Sequence, residues 1–155
     1  LRYDCAGLYK LIFSEGVDFP PPITISGFPR RGDFNTSTDF FIAWLKNEGW
    51  IDDEALCEEI FDAEGKARWC VVEEVANMPP DTPYIFSANL QITNLMQPAR
   101  RDMLGLEPIF DQRAFVWVTR GGGGYSMHFK DVGKYFKYPP DYFCPSGLTN
   151  RVLRP

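Results

Sequence analysis

The sequence predicts an α+β domain: an amino-terminal helix packed on a small antiparallel β-sheet, with short helices and long loops around it. Three observations lead there. Apolar residues recur at three- and four-residue steps near the start of the chain and again over residues 36–48. Two runs with two-residue periodicity, at 114–119 and 125–129, flank four consecutive glycines. The strand signals come late and the helical signals early, which is the order of an α+β chain and not of alternating βαβ units. No internal repeat, low-complexity tract or dividing linker interrupts residues 1–155, so one domain is expected.

Residues 1–14 read as a helix. Leu1, Cys5, Leu8, Tyr9, Ile12 and Phe13 fall on one face, Arg2, Lys10 and Glu15 lie off it, and Gly16 with Pro20, Pro21 and Pro22 ends it. A helix under way at its first residue, with no cap, reads as the later part of a longer one. Residues 17–35 are a Pro- and Gly-rich loop. The clearest helix follows at 36–48: Thr36 with Asp39 fits a capping box, Ser37 is a rival cap, Phe40, Phe41, Trp44 and Leu45 make a stripe, and Gly49 stops it. A short helix is expected over 53–61, started by Asp52 or Asp53, with Gly65 beyond its end.

Residues 69–75 are apolar and fit a strand or a helical turn. Pro79, Pro80 and Asp81 demand a turn, and residues 83–87 form a short strand. Residues 89–112 show no firm period and read as a long loop. The strongest strand is 114–119, with Phe115 and Trp117 on one face and Ala114, Val116 and Val118 on the other; both sets are apolar, so both faces should be covered. Gly121, Gly122, Gly123 and Gly124 turn the chain into 125–129, their freedom at positive φ suiting a tight hairpin. Residues 131–136 fit one helical turn. The tail, 137–155, with prolines at 139, 140, 145 and 155, should be irregular and pinned through Tyr142 and Phe143.

Composition narrows the function classes. The chain is 45% hydrophobic and 15% aromatic with net charge −5. A chain of this length buries about 70% of its unfolded surface and needs no metal or staple to fold. The basic pairs Arg30-Arg31 and Arg100-Arg101 sit beside Asp33 and Asp102, which is not the basic stripe of a nucleic-acid binder. No run approaches the roughly 20 apolar residues of a membrane span, and no signal peptide is seen. Cys5, Cys57, Cys70 and Cys144 form no C-x-x-C pair, which argues against a zinc ribbon. They fit buried thiols or one or two disulfides. Three full pairings exist, and Cys57–Cys70 would close the shortest loop.

A search for chemistry assigns no catalytic, cofactor-binding or metal-ligating residue. His128 is the single histidine, so any Ser-His or Cys-His site would have to use it, yet it alternates with core-like residues on a hairpin strand. The glycines at 121–124 lead into a strand, whereas phosphate-cradling loops lead into a helix. Asp52, Asp53, Glu54, Glu58 and Glu59 suit the solvated face of a short helix; a cation site or a glycosidase pair are the rival readings, and Glu73-Glu74 is similarly weak. Trp50, Tyr84, Tyr125, Tyr135, Tyr138 and Tyr142 are aromatics that, if exposed, would bind sugars or partners.

Three segments, taken in order, resemble the pseudopilin-like proteins of Verrucomicrobia and Lentisphaerae. Asn35-Thr36-Ser37-Thr38-Asp39-Phe40-Phe41 leading to Gly49-Trp50 is similar to that group's N-S-T-x-F-F … G-Y segment. Trp69, Val71-Val72, Asp81-Thr82-Pro83-Tyr84-Ile85-Phe86 and Asn89-Leu90 resemble W-x-V-V … D-T-P-F-L-F-T-x-N-L. Residues 114–119 with Arg120-Gly121-Gly122 resemble a late V-V-V-V-x-K-G-G hairpin. The likeness spans roughly residues 8–130.

That resemblance implies a pilin-like head and a non-enzymatic structural subunit of a type II secretion or type IV pilus-like assembly. Residues 1–14 would be the end of a long helix whose upstream part anchors the protein in the inner membrane, with the head in the periplasm. Its partners would be other pseudopilin subunits, met through that helix, and the secretion or pilus machinery. The family's motifs are structural, so no site residue carries over; the tail, 137–155, departs from the family's pattern, and the calcium site of major pseudopilins is not placed on residues of this chain. The alternative is a surface-anchored module that binds polysaccharide or protein through loops near 84–97 and 138–143. A hydrolase using the carboxylates at 52–59 comes third.

Overall fold

The computed structural model describes residues 28–95, 114–121, 124–128 and 148–155, with only the backbone of 114, 115, 124 and 126–128. The helix expected at 1–14, most of the 89–112 loop, the helical turn at 131–136, Cys5, Cys144, Arg100, Arg101, Asp102, Tyr135, Tyr138, Tyr142 and Phe143 lie outside these residues. The described part is α+β.

Helix α1 spans Ser37–Glu48. Thr36 is its cap, extended at φ −135°, and its hydroxyl accepts the Asp39 N–H at 3.1 Å. Ser37 is already inside the helix. Gly49 ends it in the left-handed region at φ 78°, its N–H donating to the Leu45 and Lys46 carbonyls. The expected stripe is realised: Phe40, Phe41, Trp44 and Leu45 are fully buried. Helix α2, Glu54–Ile60, is capped by Asp53, whose Oδ1 accepts the Leu56 N–H at 3.1 Å. It stops at Phe61, before Gly65. That glycine, at φ 80°, serves the next turn, where Asp62 Oδ1 accepts the N–H groups of Glu64 and Lys66.

Five strands follow: β1 Trp69–Val72, β2 Pro83–Ser87, β3 Ala114–Thr119, β4 Gly124–His128 and β5 Val152–Leu153. They form one antiparallel sheet in the order β4-β3-β2-β1-β5. The segment at 69–75 is thus a strand in its first four residues and not a helical turn. The tail corrects the sequence reading. Expected to be irregular, it ends as an edge strand, with Val71 opposite Leu153 and Val72 opposite Val152. Two apolar residues between arginines carry no readable alternation of their own; β1 supplies the ladder that makes them a strand.

Register sorts the side chains into two faces, because cross-strand partners share a face. Cys70, Phe86, Trp117 and Tyr125 align on one, and Val71, Ile85, Val118 and Leu153 on the other. β2 carries one extra residue, Tyr84, between Pro83 and Ile85 against β3, where the regular alternation of faces is interrupted. There α1 closes over it: the Phe28 ring meets Tyr84 edge-on at 4.7 Å and Phe40 does so at 6.5 Å. The opposite face is equally buried, with Val71, Ile85, Val118 and Leu153 at 0–1% exposure. The expectation that β3 is covered on both sides therefore holds at Val116, Trp117 and Val118.

The β3–β4 connection forms the expected hairpin, but Gly121 serves it for a different reason. It is not among the positive-φ glycines. A Cβ there would come within 2.8 Å of Pro80 Cβ and 2.9 Å of the Pro80 carbonyl oxygen, to which Gly121 N–H donates. Close backbone approach demands glycine at this position.

Candidate functional site

Among the described residues, those singled out for chemistry do not converge. Asp52, Asp53, Glu54, Glu58 and Glu59 stand exposed before and along α2. His128 lies on β4 as expected, its side chain outside the described set. Tyr84 is fully buried and offers no surface to a sugar, so the aromatic-loop reading loses it. Trp50 is half-buried. Tyr125 is 45% exposed and stacks on buried Trp117 with centroids 5.4 Å apart. Among the described residues no group of three or more His, Cys, Asp or Glu could hold a metal ion.

Cys57 and Cys70 are free thiols, so the shortest candidate bridge is not formed. Cys57 Sγ donates to the Ile51 carbonyl at 3.3 Å. Desolvation, then the nearby charges of Asp53 and Asp52, push its thiol above the ordinary range. Both causes favour the protonated form, which is the poorer nucleophile.

Two polar arrangements stand out, and neither was recognised from sequence. The first is a clasp at the end of β1. Glu73 directly follows four buried apolar residues and is itself buried, its side chain only 1% exposed. Its Oε2 accepts the Gly32 N–H at 3.2 Å. Its Oε1 lies 3.3 Å from Arg151 Nε, within ion-pair reach but off hydrogen-bond alignment. Backbone bonds tighten the junction: Glu73 N–H donates to the Arg151 carbonyl and Glu74 N–H to the Pro29 carbonyl. Asn150 Nδ2 donates to the carbonyls of both Glu73 and Glu74, at 2.9 and 3.2 Å. Glu74 turns the chain away from the sheet at φ 62°, the one non-glycine at positive φ among the described residues. Gly32, at φ 85°, belongs to a turn that Asp33 closes by accepting the Arg30 N–H. Three distant stretches thus meet on one buried carboxylate.

The second is a cavity of about 250 Å³ lined by Asp62, Lys66, Ala67, Arg68, Ala88, Arg154 and Pro155. The turn after α2, the end of β2 and the tail build it. Arg154 is held hard: Nη2 donates to the Ala88 carbonyl at 2.7 Å, and Nη1 to those of Leu90 at 2.7 Å and Ile92 at 3.3 Å. Its own carbonyl accepts the Ser37 N–H at the start of α1. Arg68 Nε donates to the Phe61 carbonyl at 3.1 Å. The signal for this site was present in sequence as two tail arginines flanking Val152-Leu153, but only the fold brings Arg154 beside Arg68.

Among the described residues no helix is long and apolar enough to cross a membrane. No protein-family model matches the chain, and no curated protein or solved structure matches it either.

Proposed function

We propose that this chain is the head of a pseudopilin-like subunit, built to assemble in the cell envelope and not to catalyse. The observation that carries the reading is the burial of both sheet faces. α1 meets Tyr84, α2 reaches the Trp69 end of β1 through the bond from Trp69 Nε1 to the Glu59 carbonyl, and the buried Val71–Ile85–Val118 face calls for apolar cover along its length. The amphipathic stretch at 1–14 has the spacing to supply it: Leu8, Ile12 and Phe13 lie on one helical face. In this reading that stretch ends a long apolar rod, and the rod packs into a filament while the head is displayed outside. The ordered resemblance over residues 8–130 points the same way.

Two measurements test it. The coding sequence upstream of Leu1 should encode a short basic leader and an apolar stretch of roughly 20 residues; a start without them sinks the proposal. Leu8→Ala should destabilise the head by about 2–5 kcal/mol, the cost of removing a packed leucine. An unchanged melting temperature would mean that residues 1–14 do not dock.

A binding module is the second reading. The Trp117–Tyr125 stack favours it, since it presents one aromatic face at an edge strand. A glycan array with Tyr125→Ala as control separates the two.

A further inference from the structure

We infer that the cavity beneath the carboxy-terminal tail is an anion site that takes a carboxylate carried on a small organic body. This goes beyond the assembly reading and does not rest on it.

Among the described residues, three cationic side chains, Lys66, Arg68 and Arg154, line the cavity against one acidic side chain, Asp62. That concentration of positive charge occurs in a chain whose net charge is −5. Asp62 does not neutralise them by contact. Its Oδ1 is engaged by the N–H groups of Glu64 and Lys66, and among the described residues none of the three cations has a carboxylate within ion-pair distance. Arg68 and Arg154 are half-buried and Lys66 is exposed at the rim; like charges gathered with no carboxylate in contact repel one another, and an anion seated between them removes that cost.

The donors are also available. Arg68 spends only Nε on the protein among the described residues, so both Nη atoms remain to grip an oxyanion. Arg154 is immobilised by three carbonyls, so its position is already set before a ligand arrives. Guanidinium groups match the planar, two-oxygen geometry of a carboxylate.

Size and lining choose the class. The volume exceeds a bare ion, since a water occupies about 30 Å³ of liquid. Ala67, Ala88 and Pro155 add apolar wall, which suits a carbon body behind the charged group.

The test is titration of the isotope-labelled 155-residue chain, followed by amide chemical shifts, with acetate, glucuronate and inorganic phosphate at matched ionic strength. Both carboxylates should move residues 62–68, Ala88 and Arg154 saturably. Tighter binding of glucuronate than acetate would identify a sugar acid as the source, and equal binding would identify the carboxylate alone. Arg68→Gln should weaken binding about tenfold, as expected for loss of a charged hydrogen-bond donor. Lys66→Gln removes an exposed charge with no side-chain bond among the described residues, so it should keep the fold and weaken binding about twofold to threefold. Phosphate binding more tightly than both carboxylates, no saturable shift with either, or wild-type affinity in both variants overturns the proposal.

Discussion

The sheet core and the clasp at the end of β1 are joined by a single peptide bond, between Val72 and Glu73, and they are held by opposite physics. In the core, Phe28, Phe40, Phe41 and Tyr84 of β2 meet edge to face, and Trp44 stacks on Phe40 and lies tilted against Phe41. Burial there is non-directional, and Phe40 alone meets four other rings, so the attraction is spread over many contacts. In the clasp, one carboxylate, one amide side chain and a few backbone groups do the holding, each in one direction. The core supplies most of the free energy; the clasp decides where residues 29–33 and 150–151 are fastened.

The sharpest way to break the comparison is Phe40→Ala. Phe40 is fully buried and meets Phe34, Phe41, Trp44 and Tyr84. Its truncation should cost about 3–5 kcal/mol in chemical denaturation. A loss below about 1 kcal/mol would mean the aromatic layer closes over the gap and is less closely packed than the ring contacts indicate.

Next comes the ion pair. Arg151→Leu leaves the Glu73 carboxylate buried with only the Gly32 N–H, and should cost about 1–3 kcal/mol. Arg151 is 54% exposed, which keeps the figure well under that of a fully buried pair. In a Glu73→Gln background the same substitution should cost much less, because a neutral amide needs no counter-ion. Equal costs in the two backgrounds would show that the Arg151 side chain contributes independently of the Glu73 charge, and a double-mutant cycle reads that difference directly.

Asn150→Ala is smaller. It removes two hydrogen bonds to carbonyls that border solvent, and should cost about 1 kcal/mol. Its informative readout is amide exchange: protection at Leu95 and Glu73, whose N–H groups bond to the carbonyls of Asn150 and Arg151, should fall more than protection in β2.

The two regions also differed in what could be read beforehand. α1 was legible because its cap, apolar stripe and terminal glycine all lie within fourteen consecutive residues, from Thr36 to Gly49. β3 was legible because apolar side chains on both faces announce a covered strand. The clasp was not. Glu73-Glu74 reads as a solvated doublet, and only partners 41 and 77 residues away, at Gly32 and Asn150, make Glu73 a buried junction. β5 failed for the same reason, since its two residues become a strand only against β1. Local signals encode local structure, and a polar contact of long sequence separation leaves no period behind.

Glu74→Gly is the smallest expected effect and the only one with the opposite sign. At φ 62° Glu74 occupies the left-handed region, which costs a residue with a Cβ about 1–2 kcal/mol. Glycine relieves that strain but loses more backbone entropy on folding, which returns about 0.5–1 kcal/mol. The side chain is exposed, so its removal forfeits little packing. The two bonds to its backbone, from Glu74 N–H to the Pro29 carbonyl and from Asn150 Nδ2 to the Glu74 carbonyl, survive the change. The net result should be a gain of up to about 1 kcal/mol, read as a raised denaturation midpoint at unchanged m-value. A loss would mean that Glu74 earns its strained backbone through its carboxylate, and would move the functional weight of the clasp from the buried Glu73 to its exposed neighbour.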